Sequence, residues 1–219
     1  GDQLPDDPWA GETVQRFIYD PHRSLDANLE AIAAYVQPED VLIDVGGGAG
    51  RISLPLALRC REVINVDASP AMLAAFGELA AQAGIRNARA VKSHWLAAEG
   101  IQGDVTLVAS VTYFVRDIVP FVQKLAVAAH RRVIILVWSE PPPNQSRQLF
   151  RLVYGEEQAF LPGHRELLPV LWEMGILPDV RVLPMRLTPA GLPPQGGYPR
   201  TSDEAIASTL SGRWLAPRD

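Results

Sequence analysis

The sequence predicts an α/β fold in which a doubly wound, mostly parallel sheet carries helices on both faces. Short apolar runs alternate with amphipathic stretches from residue 24 to about residue 140. Several of these runs lack the polar–apolar alternation of a half-exposed strand, which is typical of parallel strands that are buried on both faces. A glycine-rich turn directly follows the first run. The 219 residues are enough for one large domain with a buried core.

Composition argues against several classes of protein. A net charge of −5 disfavours a protein that holds nucleic acid. No apolar run approaches the roughly 20 residues that span a bilayer, which argues against a membrane partner. Cys60 is the single cysteine, and the four histidines lack carboxylate or cysteine partners at metal spacing, so no metal site is predicted. These features favour a cytoplasmic enzyme.

The segments before the second strand follow from local signals. Residues 1–23 are polar and rich in turn formers, and predict an arm or cap in front of the main domain, 24–219. Ser24 predicts the start of a helix that continues to about Tyr35, because apolar residues recur there at helical spacing. Residues 41–45 predict the first strand, and the apolar-periodic stretch 51–58 predicts a helix after the glycines.

The second strand, 63–66, ends at Asp67, and a strong helix start follows it. Ser69 is an N-cap residue and Pro70 suits the first helical position, so a helix is predicted to about Gln82, closed by Gly84. The same criteria predict strands at 88–92, 105–108 and 133–138, and a helix at 118–129.

The regular alternation ends at the prolines 141–143, which divides the main domain into a core, 24–140, and a C-terminal part, 141–219. Within the C-terminal part the patterns predict helices at 146–154, 165–174 and 203–210, a strand at 180–187, and a loop at 189–199.

The most informative motif is Asp44-Val-Gly-Gly-Gly-Ala-Gly50 between a strand and a helix. Glycine permits a sharp turn with positive φ and lets a ligand approach the backbone, and the helix that follows presents unpaired N–H groups. Asp67 lies 21 residues after Gly46, at the end of the next strand, where a carboxylate can accept both hydroxyls of a ribose. The pattern predicts a ligand that contains adenosine.

A nicotinamide-dependent oxidoreductase is an alternative, because its G-x-G-x-x-G turn also joins a strand, a helix and a distant acid. Counted from Gly46, the third glycine position falls on Arg51, and counted from Gly48 it falls on Ser53. A bulky arginine suits that closely packed position poorly, and the later start places the turn too far from the strand. The oxidoreductase interpretation is therefore disfavoured.

Residues 44–50 resemble the first motif of class I S-adenosylmethionine (SAM)-dependent methyltransferases, and residues 67–72 resemble their second. The resemblance extends over roughly residues 25–140 and implies a Rossmann-like fold with SAM as the cofactor. It implies that Asp44 and the glycines Gly46, Gly47 and Gly48 hold the amino-acid part of SAM and that Asp67 holds the ribose. It also implies that Ala68 and Met72 flank the adenine.

Two later segments resemble the third and fourth motifs of the family. The third motif usually places an aspartate near the adenine amine, whereas this chain has His94 there, between Ser93 and Trp95. The resemblance implies adenine contacts from these three residues, with the Trp95 ring stacking beside the base. In the fourth motif the chain passes under the sulfonium, which implies that Ala109 and Ser110 lie near the transferred methyl group.

The implied function is SAM-dependent methyl transfer to an unidentified, small-molecule acceptor, with the C-terminal part contributing to the acceptor pocket. No pair of side chains suggests a general base, so no catalytic residue is predicted. A non-catalytic protein that binds SAM or its product also fits the motifs. An enzyme that uses the fold for other chemistry, such as aminopropyl transfer, is a further alternative, but it would want extra acids around the sulfonium loop, and Ser110, Val111 and Thr112 offer none.

The family's sheet usually has seven strands, and a seventh is not visible in this sequence after residues 180–187. Strand five would then keep an exposed edge, which proteins usually cover. We therefore expect either that the chain stops short of its natural end or that residues 180–187 pair with strand five.

Overall fold

The computed structural model describes residues 7–184. The chain divides into two compact units, with the boundary in the sequence between Val137 and Trp138, and each is described by itself below. The predicted loop at 189–199 and the predicted helix at 203–210 lie outside the described residues.

The first unit contains a sheet of five parallel strands in the order β3-β2-β1-β4-β5. The strands are β1 (Val41–Val45), β2 (Glu62–Asp67), β3 (Ala88–Lys92), β4 (Gly103–Ala109) and β5 (Ala129–Leu136). β1 lies at the centre and all its residues are buried, as the unbroken apolar run predicts. The order reverses between β1 and β4, which confirms the predicted doubly wound fold and places a topological switch point at the carboxyl ends of β1 and β4.

Five helices belong to this unit: α1 (Glu12–Gln15), α2 (Ala27–Ala33), α3 (Ser53–Ala57), α4 (Pro70–Gln82) and α5 (Ile118–Ala128). Short 3₁₀ helices follow β3 at Trp95–Ala97 and β4 at Thr112–Phe114. Successive residues of β1 serve two different cores, because side chains alternate across a strand. Leu42 packs with Leu54 and Phe76, whereas Ile43 packs with a cluster that contains Phe121.

The start of α2 differs from the prediction. Asp26, not Ser24, is the N-cap residue, and its carboxylate accepts hydrogen bonds from the backbone N–H groups of Asn28 and Leu29 at 3.1 and 3.0 Å. Both residue types suit the cap position. Leu29, in the first turn of the helix, is buried in the cluster that contains Leu42.

The start of α4 is as predicted. The Ser69 hydroxyl accepts a hydrogen bond from the Met72 N–H at 3.1 Å, and Pro70 occupies the first helical position. The helix ends at Gln82, and Gly84 follows with a φ of +70°.

In the second unit the chain forms a 3₁₀ helix at Pro142–Ser146 and the helices α6 (Arg147–Tyr154) and α7 (His164–Glu173), close to the predicted bounds. The prediction of a strand at 180–187 is wrong for residues 180–184, which form no strand, and Val182 among them is 92% exposed. β-Branched residues favour a strand only where a partner strand pairs with them. Residues 185–187 lie outside the described residues.

Across residues 7–184, no helix has the length and apolar character needed to cross a membrane.

Candidate functional site

The glycine turn after β1 adopts a conformation that side chains rarely permit. Gly46 has a φ of +68° and Gly48 a φ of +55°, both in the left-handed region that glycine enters at little cost. The Gly46 N–H donates to the Val66 carbonyl at 2.8 Å, which fixes the start of the turn against β2. The turn therefore lies at the carboxyl edge of the sheet, between the ends of β1 and β2.

Asp67, at the end of β2, is bonded directly to this turn. One carboxylate oxygen accepts the Gly48 N–H at 2.9 Å, and the other accepts the Ser69 N–H at 2.8 Å. The side chain is only half-buried, and each oxygen keeps a second lone pair for a further donor. The two motifs read from the sequence are thus joined by a hydrogen bond, with a preorganised carboxylate at the point of contact.

Two segments border the glycine turn. A Cβ built on Gly48 would lie in van der Waals contact with Met72, 3.6 Å from its Sδ atom. On the other side, a Cβ on Gly46 would lie 2.7 Å from Val111 Cγ2. The turn is therefore flanked by α4 and by the segment after β4, which are the two segments implied to border the adenine and the sulfonium.

Ser110, directly after Ala109 at the end of β4, has a φ of +61°, which among residues 7–184 is the sole positive φ outside glycine. Its N–H donates to the Leu136 carbonyl at 2.9 Å. Burial raises the pKa of the Tyr113 hydroxyl, and a hydrogen bond with Ser110 partly offsets that effect. A strained residue held by its surroundings is typical of functional sites, and this one lies at the switch point of the sheet.

The segment after β3 matches the prediction only in part. The Ser93 N–H donates to the Asp67 carbonyl at 3.0 Å, so Ser93 lies beside the site, and the His94 side chain is exposed. Trp95 is only 5% exposed, packs in the core with Phe121, and donates its indole N–H to the Phe121 carbonyl. This core position does not support stacking on adenine, because the ring is already covered by the protein.

The arm before α2 is attached to the start of α4. Asp7 accepts hydrogen bonds from the Ser69 hydroxyl at 2.7 Å and from the Ala71 N–H at 3.1 Å. Burial opposes ionisation of Asp7, but these bonds and one from Trp9 outweigh it and lower the Asp7 pKa. Trp9 also packs with the cluster that contains Met72. The arm therefore lies next to the turn and Asp67.

Sequence reasoning missed Asn65, which is fully buried in β2 and donates its side-chain N–H to the Gly48 carbonyl at 2.8 Å. A polar residue inside an otherwise apolar strand is the signal that could have identified it. Asp44 is also buried, at 2% exposure. Burial raises the Asp44 pKa to about 6, and the Asp67 carboxylate adds to the shift, whereas a hydrogen bond with the Ser53 side chain and the positive charge of Arg51 oppose it.

The described residues bring together nine of the predicted site residues at or beneath one edge of the sheet: Asp44, Gly46, Gly47, Gly48, Asp67, Met72, Ser93, Ala109 and Ser110. Ala68 follows Asp67 there, and His94 points to solvent. Over the same part of the chain, no group of three histidine, cysteine or acidic side chains is placed to hold a metal ion.

Residues 42–133 match a protein-family profile described as a methyltransferase domain. This segment begins within β1 and ends within β5, so it contains β2, β3 and β4 and most of β1 and β5. None of the curated protein sequences matches the chain.

Several solved structures share the fold. The magnesium protoporphyrin IX methyltransferase from Synechocystis PCC 6803, solved with bound S-adenosylhomocysteine (SAH), has a TM-score of 0.56 at 18% identity, with 68% of this chain and 71% of that chain covered. A putative methyltransferase from Bacillus halodurans C-125 has a TM-score of 0.53 at 17% identity, covering 68% and 67%. The YcgJ protein from Bacillus subtilis has a TM-score of 0.52 at 18% identity, covering 66% of each chain. At these identities the likeness establishes the fold.

Proposed function

We propose that this chain, whose residues 42–133 match a methyltransferase-domain profile, is a class I SAM-dependent methyltransferase that transfers the methyl group of SAM to a small-molecule acceptor. The observation that carries the proposal is the 2.9 Å hydrogen bond between the Gly48 N–H and the Asp67 carboxylate. It holds together a glycine turn, whose backbone no side chain covers, and an acid suited to ribose hydroxyls.

In this proposal each part of the cofactor meets a different segment of the site. Gly46, Gly47 and Gly48 border the amino-acid part, and Asp67 accepts the two ribose hydroxyls. Ala68, Met72, Ser93 and His94 surround the adenine, whereas Ala109 and Ser110 lie beneath the sulfonium. Asp44 supports the turn from below, and Trp95 is left out of the contacts because it is a core residue.

When bound, SAM supplies an activated methyl carbon that a nucleophile displaces in line. The task of the protein is then to align the acceptor and to exclude water, since the leaving group needs no protonation. The fixed turn, the strained Ser110 and the buried Tyr113 provide a rigid surface for that alignment. We assign no general base.

A small-molecule acceptor is favoured by the net charge of −5, which opposes binding to a polyanion. The protoporphyrin methyltransferase from Synechocystis is an example of this fold with a small-molecule acceptor, as its name states. The C-terminal part, 141–219, is proposed to contribute to the acceptor pocket, because loops on such scaffolds carry specificity. A cytoplasmic location stays a prediction from composition.

The identity of the cofactor is tested by thermal unfolding. We expect SAH to raise the melting temperature, because a ligand at 100 times its dissociation constant stabilises the folded state by about 2.7 kcal/mol. NAD at the same concentration should leave the melting temperature unchanged. A shift with NAD and none with SAH would favour the oxidoreductase alternative and would refute the proposal.

Binding alone does not separate an enzyme from a non-catalytic SAM-binding protein. Incubation with methyl-labelled SAM and a pool of small molecules, followed by mass spectrometry, should reveal a labelled acceptor. Tight SAH binding without transfer to any member of a broad pool would support the non-catalytic alternative.

A further inference from the structure

Asn65 and Asp44 form a polar pair inside the sheet, directly beneath the glycine turn. They are level with each other in the register of β1 and β2, so their side chains are neighbours on one face. Asn65 is fully buried and Asp44 is 2% exposed. Because buried polar groups are costly without partners, the hydrogen bonding of this pair must be accounted for.

The Asn65 amide is oriented by its bond to the turn. Its nitrogen donates to the Gly48 carbonyl at 2.8 Å, so its oxygen faces away from Gly48. That oxygen, Asn65 Oδ1, is buried without a hydrogen-bond partner among the described residues, and so is Asp44 Oδ2.

The two unpartnered oxygens both lie close to Gly47. A Cβ built on Gly47 would lie 2.3 Å from Asp44 Oδ2 and 2.6 Å from Asn65 Oδ1. Both atoms therefore border the same small space, which only a glycine leaves free. If Asp44 is ionised, both of these oxygens are acceptors, so neither can donate to the other.

A proton on Asp44 removes this conflict, because a neutral carboxylic acid has one O–H donor. A single O–H···O bond then provides partners for both oxygens. Burial of Asp44 favours the protonated form most strongly, and the negative charge of Asp67 adds to it, whereas a hydrogen bond with the Ser53 side chain and the positive charge of Arg51 oppose it. On the other side of β1, the residue of β4 that pairs with Asp44 is the uncharged Leu107.

We propose that Asp44 and Asn65 are positioning residues for the glycine turn: the neutral Asp44 carboxyl donates to the Asn65 amide oxygen, and the Asn65 amide nitrogen holds the Gly48 carbonyl. The pair touches no ligand. It acts through Gly47 and Gly48, whose N–H and carbonyl groups set the geometry of the cofactor site. The effect on cofactor binding rests on the proposed function, whereas the proton on Asp44 does not.

The test uses Asp44→Asn, which keeps the size of the side chain and supplies a permanent N–H donor to Asn65. The dissociation constant of SAH is measured by calorimetry from pH 5 to pH 8. Wild type should bind about tenfold more weakly at pH 8, because ionisation removes one hydrogen bond beneath the turn. The Asp44→Asn variant should show no such decline and should bind more tightly than wild type at pH 8.

Asp40→Asn is the matched control. Asp40 is an equally buried carboxylate, but it is bonded to the Gln37 N–H and paired with Arg131, away from the turn. This variant should keep the wild-type decline of affinity with pH. If Asp44→Asn binds SAH at least tenfold more weakly than wild type at every pH, the carboxylate itself serves the ligand and the proposal is overturned.

A second readout needs no ligand and therefore separates this proposal from the proposed function. The free energy of unfolding in urea is compared for Asp44→Asn and wild type between pH 4 and pH 8. A carboxyl whose pKa is raised by folding contributes stability at low pH, and that contribution is lost as the pH rises through the folded value of about 6. The advantage of Asp44→Asn should therefore grow from pH 4 to pH 8. Parallel curves for the two proteins would overturn the proposal, even if wild type bound no SAH at all.

Discussion

Gly48→Val is expected to abolish SAH binding in a protein that still folds. Gly48 has a φ of +55°, where a β-branched side chain costs of order 1–3 kcal/mol. In addition, the valine methyl groups would enter the space between the turn and the Met72 sulfur, since even a Cβ there lies only 3.6 Å from that atom. Calorimetric titration with SAH should detect no binding, while circular dichroism should retain the wild-type spectrum.

Gly84→Val provides the matched control for this substitution. Gly84 has a φ of +70°, so valine meets comparable backbone strain, but no atom lies within 4 Å of its Cβ position. The control should lose similar stability and bind SAH with wild-type affinity. Normal SAH binding by Gly48→Val would mean that the glycine turn is only structural.

Asp67→Ala is expected to weaken SAM binding tenfold or more. Each hydrogen bond between a ribose hydroxyl and the carboxylate contributes about 1.5–3 kcal/mol at most, and 1.4 kcal/mol corresponds to a tenfold change in affinity. The substitution also removes the acceptor of the Gly48 and Ser69 N–H groups, so some loss of stability should accompany it. Calorimetry gives the affinity, and urea unfolding gives the stability.

The effect on stability is controlled with Asp26→Ala. The Asp26 carboxylate also accepts two backbone N–H bonds, at the start of α2, and its loss should cost about 1 kcal/mol. Because Asp26 lies outside the proposed site, SAM affinity should stay at the wild-type level. If Asp67→Ala retains wild-type affinity, Asp67 does not hold the ribose.

Local signals were sufficient wherever neighbouring residues in the chain decide the structure. Ser69 and Pro70 predicted the start of α4, because a cap and a first-turn proline act within one helical turn. The run at 41–45 predicted β1 with correct bounds, because an unbroken apolar run suits a strand covered on both faces. The glycines of the turn were identified from their spacing, and the positive φ values of Gly46 and Gly48 agree with that reading.

Other predictions failed where contacts between distant residues decide the outcome. Ser24 and Asp26 are equally good caps by residue type, and in the structure Asp26 caps α2. Trp95 lies beside the expected adenine position in the chain, but its ring turns into the core against Phe121. Residues 180–184 have strand-like composition yet form no strand, since composition cannot supply the neighbouring strand that pairing requires.

The sequence by itself determined the order of strands and helices from β1 to β5, the glycine turn, and the acid at the end of β2, because each depends on local preference and spacing. Only the tertiary structure decided that the Gly48 N–H bonds to Asp67 and that Asn65 lies beneath the turn beside Asp44. These contacts depend on the register between β1 and β2, whose residues are about 20 positions apart in the chain. Register is set by the packing of whole faces of the sheet, which no single segment of sequence specifies.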